Sequence, residues 1–315
     1  MTKAEILQVG HYPEWDEGPL NEQYIMHRYF EAEDKPGFLQ RVGGDIRGVA
    51  CRGESIVDRQ MIEAMPKLEI IAVYGVGHDG VDLEACRQRG IRVTNTPDIL
   101  AKDVADLAVA MMLALGRGVV PADHWVRSGG WQTKGPFPLQ QRMYGRRAGI
   151  LGLGKIGHAI GRRLAGFDMP ISYWSRTRKL EGGEWNYFDD PLELAGWAEV
   201  LFVTLAATPE TRHIVNQQVL DALGTNGMLV NVSRAANVDE VALLVALENR
   251  SIGGAAIDVF ENEPALNPRF TALNNVVLQP HHGSGTLETR KAMGQLMRDN
   301  LQAHFAGMAP LTPVT

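Results

Sequence analysis

The stretch ILGLGKIGHAIGRRL, residues 150–164, decides the fold of this chain. It holds a GxGxxG motif between an apolar, strand-like run and a helical pattern with one apolar face, and its glycines are Gly152, Gly154 and Gly157. Such glycines allow a tight turn, a close approach of the backbone to a pyrophosphate, and close packing of helix on strand. The helix N-terminus supplies N–H groups and the positive end of its dipole. The surrounding strand and helix favour a dinucleotide site over a glycine-rich turn without a ligand.

The next strand-like run ends at residues 175–178, which read SRTR and contain no acid. An acidic residue about 20 positions after the glycines would bind the adenosine ribose hydroxyls of NAD. A guanidinium fork instead pairs with a phosphate, and small hydroxyl groups hydrogen-bond to it. The segment therefore predicts a preference for NADPH (NADP), with NADH bound more weakly, through Arg176 assisted by Ser175 and Thr177. The alternative interpretation is a solvated basic turn.

Short apolar runs alternate with helical patterns along most of the 315 residues, which predicts an α/β fold with parallel strands and crossover helices. A chain of this length is long enough for two domains. The first series of strands ends near Thr96, and an apolar helix spans about Ala101 to Gly116. The predicted architecture is two doubly wound domains. A discontinuous, flavodoxin-like substrate domain comprises residues 1–98 and 286–315, and a Rossmann cofactor domain of residues 99–285 is inserted in it.

The composition indicates which kinds of partner and which cellular compartment to expect. Hydrophobic residues make up 45% and charged residues 22% of the chain, and the formal net charge of -6 provides no broad basic surface for nucleic acid. Cys51 and Cys86 have no metal-ligand spacing, which predicts neither a zinc site nor a disulfide framework and fits a reducing, cytoplasmic location. The N-terminus lacks a signal-peptide pattern. The apolar run Val104–Leu115 is too short to cross about 30 Å of bilayer hydrocarbon, so we expect a buried helix and no membrane.

Polar residues follow three later strand-like runs, the places where a doubly wound sheet binds its ligands. They are Arg234 after the first run, then Asp258, Glu261 and Glu263, then His281 and His282. An arginine can bind a substrate carboxylate and polarise a carbonyl, and a histidine held by a carboxylate can donate a proton to a new alkoxide. Taken singly, each residue also fits an ordinary role as a surface ion-pair partner, a loop charge or a capping histidine. Together, after the glycine motif, they indicate reduction of a 2-oxo acid.

These motifs resemble those of the D-isomer-specific 2-hydroxyacid dehydrogenase family over nearly the whole chain. The similar segments are VGHDGVDLEACRQRGIRVTNTPDILAKDVADLAVAMMLA, GILGLGKIG, TPETRHIVN, NVSRAANVDE, AAIDVFENEP and PHHGSGT. Within the family, YWSRT, TPETRHIVN and HHGSGT are most similar to NADPH-preferring glyoxylate/hydroxypyruvate reductases and to hydroxyphenylpyruvate reductases.

The resemblance implies roles for individual residues. The family's catalytic arginine falls on Arg234, its carboxylate on Glu263 rather than Glu261, and its acid–base histidine on His281 rather than His282. Arg234 and His281 also bind the substrate in this interpretation. The other implied contacts are Leu153, Gly154, Lys155 and Ile156 at the cofactor phosphates, Ser175, Arg176 and Thr177 at the 2′-phosphate, Val232 and Asp258 beside the nicotinamide, and Val76 and Gly77, through N–H groups, at the substrate carboxylate.

The sequence departs from the family pattern at two positions near these residues. Ala235 stands where the family usually has glycine, which can alter the backbone beside Arg234, and His282 replaces a small or apolar residue. The family is usually dimeric through its cofactor domains, so we expect a homodimer whose interface includes the helix Val104–Leu115. Trp131 lies in a segment that reaches toward the partner's active site in related reductases, or it packs in the dimer interface.

The resemblance implies an NADPH-dependent reductase that converts a small 2-oxo acid, glyoxylate or hydroxypyruvate, to the D-2-hydroxy acid by hydride transfer. Two alternatives stay open. The first is a reductase of aromatic 2-oxo acids such as phenylpyruvate or hydroxyphenylpyruvate. The second is a non-catalytic, dinucleotide-sensing protein, because the same fold also serves transcriptional corepressors. The presence of Arg234, Glu263 and His281 disfavours the second alternative.

Overall fold

The computed structural model describes residues 3–183 and 185–315. The chain forms two compact units, and each is described by itself. The first contains the residues up to Leu100 together with Gly285–Thr315, and the second contains Ala101–Ser284. The second unit is therefore an insertion in the sequence of the first. The assignment of the units to substrate and cofactor stays a prediction.

A parallel sheet forms the centre of the first unit. Its strands are β1 (Glu5–Gln8), β2 (Ile25–Arg28), β3 (Ile46–Arg52), β4 (Ile70–Tyr74) and β5 (Arg92–Thr94). The helices of this unit, numbered along the whole chain, are α1 (Glu14–Gln23), α2 (Lys35–Val42), α3 (Arg59–Glu63), α4 (Leu83–Gln88) and α13 (Leu287–Phe305). The strands pair in the order β2-β1-β3-β4-β5, which is the order of flavodoxin-like, doubly wound sheets.

Acidic side chains begin two short helices of this unit. The carboxylate of Asp58 accepts the N–H of Met61 at 2.9 Å, and that of Asp82 accepts the N–H of Ala85 at 2.8 Å. Each carboxylate satisfies an N–H group that has no partner within its helix. The central strand β4 is buried at every position, as expected of a parallel strand that is covered on both faces. The loop that follows β4 therefore starts from a rigid support.

The last helix, α13, packs against β4 and α1 in the first unit. The Tyr74 hydroxyl at the end of β4 donates a hydrogen bond to the carbonyl of Arg290 at 2.6 Å. The side-chain oxygen of the fully buried Asn300 accepts the N–H groups of Leu311 and Thr312 at 2.9 and 3.1 Å. These bonds fix both the helix and the C-terminal tail to the first unit.

A longer parallel sheet forms the centre of the second unit. Its strands are β6 (Ala148–Leu151), β7 (Ile171–Trp174), β8 (Asn186–Phe188), β9 (Val200–Val203), β10 (Met228–Asn231), β11 (Gly254–Ile257) and β12 (Val276–Leu278). Its helices are α5 (Ala101–Gly116), α6 (Val119–Arg127), α7 (Gly130–Lys134), α8 (Lys155–Leu164), α9 (Pro191–Trp197), α10 (Gln217–Leu223), α11 (Glu240–Glu248) and α12 (Arg269–Ala272). The strand order β12-β11-β10-β9-β6-β7-β8 reverses direction between β6 and β9, and such a switch point is where open α/β sheets bind ligands.

The strands at the middle of this sheet are continuous apolar runs. Every residue of β6, β9, β10 and β11 is buried, because helices cover both faces of the sheet. Helix α5 packs on α8 and on β10, β11 and β12, and Val104, Ala108 and Met112 are among its buried residues. Among the described residues no single helix has the length and hydropathy of a membrane span, and α5 with α6 meets that criterion only as a pair bent by 60°.

The predicted α/β class with two doubly wound, parallel sheets is confirmed, and the predicted long apolar helix is α5. The apolar runs did not predict β2 or β8. Both are edge strands, and neither contains a buried residue. An edge strand that stays partly exposed needs no continuous apolar run, so hydropathy alone does not reveal it.

Candidate active site

The glycine loop lies between β6 and α8, at the switch point of the second sheet. Gly152 has φ of +100°, a value that L side chains rarely adopt. A Cβ on Gly157 would come within 2.3 Å of the carbonyl oxygen of Gly152, so this glycine lets helix and strand pack closely. A Cβ on Gly154 would meet open space, and among the described residues no side chain caps the helix at this residue. The loop therefore has room, and uncapped N–H groups, for a pyrophosphate.

The segment after β7 forms a compact turn that presents exposed basic side chains. The buried Ser175 donates a hydrogen bond from its hydroxyl to the carbonyl of Thr177 at 2.7 Å, and Tyr187 on β8 donates to the carbonyl of Ser175 at 3.2 Å. Arg176 and Thr177 are exposed. Because β7 pairs directly with β6, this turn begins beside the glycine loop, where an adenosine ribose binds in doubly wound folds.

One acid near this turn was not predicted from the sequence. Glu210 follows β9, the other neighbour of β6. A hydrogen bond from Thr208, the N–H of Glu210 itself and the charge of Arg176 lower the pKa of this carboxyl. The Glu210 carboxylate therefore lies within the electric field of Arg176, although it is 34 residues further along the chain.

The ends of β10 and β11 place Val232 and Asp258 at the same edge of the sheet. Val232 is buried, and Asp258 is 2% exposed. The Asp258 carboxylate accepts the N–H groups of His282 and Gly283, both at 2.9 Å. Burial raises the pKa of Asp258, and these two N–H groups offset part of that effect. Asp258 thus fixes the backbone that follows His281, in addition to the role beside a nicotinamide that the resemblance implies.

His281 and Glu263 form a close pair after β12 and β11. The Nδ1 atom of His281 lies 2.6 Å from Oε2 of Glu263, and Oε1 of Glu263 accepts the N–H of Phe260 at 2.8 Å. Since an ionised carboxylate only accepts, we assign the shared proton to Nδ1, which leaves Nε2 to face a ligand. The side chains are 32% and 27% exposed, so both remain accessible. His281 has φ of +50°, an uncommon value for a residue with a side chain, and such outliers cluster at functional sites.

Opposing effects act on the Glu263 carboxyl. Burial by itself would raise its pKa, but the hydrogen bonds from His281 and from the N–H of Phe260, together with the charges of His281 and Arg234, outweigh burial and lower it. Glu263 is therefore ionised at neutral pH and can accept the proton that Nδ1 of His281 donates.

Arg234 follows β10 and lies within the electrostatic reach of Glu263. Its Nη1 donates to the carbonyl of Ser233 at 2.8 Å. The structure thus brings Arg234, Glu263 and His281 to the carboxyl edge of one sheet, next to the glycine loop. Glu261 instead donates its N–H to Glu240 at 3.1 Å, and the side chain of His282 is 43% exposed with Nδ1 at 3.8 Å from Asp258.

The loop with Val76 and Gly77 belongs to the first unit and follows β4. The Val76 carbonyl accepts the side-chain amide of Asn95 at 2.9 Å and Nδ1 of His78 at 3.3 Å. Neither the N–H of Val76 nor that of Gly77 donates to another residue in the described part of the chain. A loop whose carbonyl is held and whose N–H groups are available suits an anion. The roles predicted for all of these site residues stay predictions.

Comparisons with known proteins place the chain in a family. Residues 109–283 match the D-isomer specific 2-hydroxyacid dehydrogenase, NAD binding domain. The chain is 45% identical over 314 residues to the hydroxyphenylpyruvate reductase of Plectranthus scutellarioides, with 100% of both chains covered.

Two solved structures are similar over the whole chain. One is the 2-hydroxyacid dehydrogenase of Ketogulonicigenium vulgare Y25, with 58% identity, a TM-score of 0.93, and coverage of 100% of this chain and 99% of that one. The other is the NADPH-dependent glyoxylate/hydroxypyruvate reductase of Sinorhizobium meliloti in complex with NADP and malonate, with 38% identity, a TM-score of 0.92, and coverage of 100% and 97%. This chain therefore belongs to the D-isomer-specific 2-hydroxyacid dehydrogenase family.

Proposed function

We propose that this protein uses NADPH to reduce a small 2-oxo acid, glyoxylate or hydroxypyruvate, to the D-2-hydroxy acid. The observation that carries the proposal is the 2.6 Å pair of His281 and Glu263, formed at the same sheet edge as Arg234 and the glycine loop. This arrangement would provide a proton donor and a carboxylate-binding cation at the sheet edge that carries the glycine loop. The Sinorhizobium meliloti relative, named as NADPH-dependent and as acting on these substrates, supports the proposal.

The residues of the second unit suit NADPH. The N–H groups at the start of α8 would bind the pyrophosphate, and Arg176 with Ser175 and Thr177 would bind the 2′-phosphate. The exposed side chain of Arg176 supports this assignment, because a guanidinium there can turn toward a phosphate without breaking a hydrogen bond to another described residue. The bound, reduced nicotinamide would supply the hydride for the reaction.

The side chains of the site would bind the substrate and move the proton. Arg234 would pair with the substrate carboxylate and draw electron density from the adjacent carbonyl. His281 would hold its proton on Nε2 toward the carbonyl oxygen and release it as the alkoxide forms. Glu263 would keep the ring in position through its hydrogen bond with Nδ1. In the first unit, the N–H groups of Val76 and Gly77 stay the predicted contacts of a substrate carboxylate.

An aromatic 2-oxo acid is the second candidate substrate, because the relative that is 45% identical over the whole chain is named hydroxyphenylpyruvate reductase. The initial rate of cofactor oxidation distinguishes the candidates. Purified protein would be assayed with NADPH and with NADH, each against glyoxylate, hydroxypyruvate, pyruvate and phenylpyruvate. We expect the highest kcat/KM with NADPH and glyoxylate or hydroxypyruvate. A preference for phenylpyruvate would favour the aromatic alternative, and NADPH binding without turnover of any acid would favour the sensing alternative.

A cytoplasmic homodimer is also part of the proposal. Helix α5 stays the interface that the resemblance implies, although several of its apolar residues are buried, and the neighbouring segment of residues 117–146 is a second candidate. This segment exposes large apolar side chains: Val119, Val120, Val126, Trp131, Leu139 and Tyr144. Exposed apolar side chains that cluster in this way mark interaction surfaces. Sedimentation equilibrium is expected to give twice the chain mass, and Leu139→Glu with Trp131→Glu is expected to give the monomer. A monomeric wild-type protein would contradict the dimer.

A further inference from the structure

A buried polar network lies beneath the loop that carries Arg234. The amide nitrogen of Asn237 donates to the hydroxyl of Ser233 at 3.0 Å, and that hydroxyl donates to the side-chain oxygen of Asn231 at 2.8 Å. The amide nitrogen of Asn231 then donates to the carbonyl of Arg234 at 3.2 Å. Asn237 and Asn231 are 0% and 2% exposed, and Ser233 is 6% exposed. The backbone on both sides of Arg234 is therefore tied to buried side chains.

Asn237 also connects this network to another loop. Its amide nitrogen donates a second hydrogen bond, at 3.0 Å, to the carbonyl of Leu205, which follows β9. A carbonyl oxygen can only accept, so the orientation of the Asn237 amide is settled by its partners. The two amide protons bond one group in each loop, and no water is needed to complete the connection.

Leu205 in turn packs on the glycine loop. A Cβ added to Gly152 would lie 2.8 Å from Cδ2 and 3.1 Å from the backbone nitrogen of Leu205, so the two backbones are in close contact. Thr204 strengthens this contact, because its hydroxyl donates to the carbonyl of Gly152 at 2.6 Å. A continuous set of contacts thus runs from the glycine loop through Leu205 and Asn237 to the loop of Arg234.

We propose that Asn237 is a positioning residue. It holds the loop of the substrate-binding Arg234 in a fixed position relative to the glycine loop. This inference rests on the proposed function, because it assumes that Arg234 binds the 2-oxo acid. Without the amide of Asn237, the carbonyl of Leu205 and the hydroxyl of Ser233 each lose a buried donor. The loop of Arg234 would then shift, and a misplacement of about 1 Å at a reacting group can lower a rate by about 10²-fold.

A double-mutant cycle tests the proposal with four proteins: wild type, Asn237→Leu, Arg234→Met and the double variant. Leucine approximates the size of asparagine and removes both donors. We expect Asn237→Leu to raise KM for glyoxylate by about tenfold, with KM for NADPH changed by less than about twofold, because a displaced arginine weakens substrate binding. If Asn237 acts only through Arg234, the substitution is expected to have no further effect on kcat/KM in the Arg234→Met background.

Asn275 provides a matched control in the same unit. It is a buried asparagine at the opposite, amino edge of the sheet, where its amide donates to the carbonyl of Leu247 at 3.2 Å. Asn275→Leu is expected to lower the unfolding temperature without raising KM for glyoxylate. If Asn237→Leu does not fold, Ser233→Ala breaks the same network by removing the hydroxyl and is expected to raise KM in the same direction.

The outcomes separate this inference from the proposed function. An unchanged KM in Asn237→Leu, or a full additional loss of kcat/KM in the double variant, would overturn the positioning role while leaving Arg234 in place. Wild-type kinetics in Arg234→Met would instead overturn the proposed function of the arginine, whatever the effect of Asn237.

Discussion

His281→Ala is expected to lower kcat for 2-oxo acid reduction by about 10²–10⁴-fold, the range that positioned general acids contribute. The physical reason is the loss of the ring that Glu263 holds at 2.6 Å, the proposed proton donor. NADPH affinity should change little, because the glycine loop and the turn after β7 contain the proposed cofactor contacts. Stopped-flow reduction of glyoxylate gives the rate, and the fluorescence of bound NADPH gives the affinity.

His282→Ala is the matched control for this experiment. It removes the same ring at the next position, where Nδ1 is 3.8 Å from Asp258 and the side chain is 43% exposed. We expect a change in kcat of less than about tenfold, because no carboxylate among the described residues lies at hydrogen-bond distance from that ring. Near-normal turnover in His281→Ala, or an equal collapse in both variants, would remove His281 from the role of acid.

Arg176→Asp is expected to reverse the cofactor preference. The substitution would remove the proposed charge-assisted hydrogen bond to the 2′-phosphate and introduce a repelling carboxylate, and together these should lower kcat/KM for NADPH by about 10²-fold. An acid in this place can accept hydrogen bonds from the ribose hydroxyls, so kcat/KM for NADH should rise. The measurement is the ratio of kcat/KM with NADPH to that with NADH, at a fixed concentration of glyoxylate.

Arg178→Asp makes the same charge change two residues further along the exposed segment. If the preference depends on a specific contact at Arg176, the control should lower the ratio by less than about tenfold, which is the scale of a screened surface charge. Equal effects of both substitutions would show that the general basic charge of the turn selects the cofactor. An unchanged preference in Arg176→Asp would contradict the assignment of the 2′-phosphate site.

The parts of the molecule that the sequence predicted share one property, which is that each depends on residues that are close together in the chain. The central strands and α5 are continuous apolar runs, and the glycine loop is a strand–turn–helix within about 15 residues. The edge strands β2 and β8 were not predicted, because partly exposed strands do not require a continuous run of apolar residues. The resemblance to the family then selected Glu263 over Glu261, which spacing alone left open.

The sequence by itself determined the α/β class, the glycine loop, and the kinds of side chain that the site would need. Tertiary structure alone decided how those side chains are held. Three sets of hydrogen bonds join separate strand ends. Glu263 pairs with His281, Asp258 accepts a backbone N–H after His281, and Asn237 connects Leu205 to the loop of Arg234. The physical reason is that these bonds form only when parallel strands bring their carboxyl ends to one edge, and no local pattern of residues records which partners meet there.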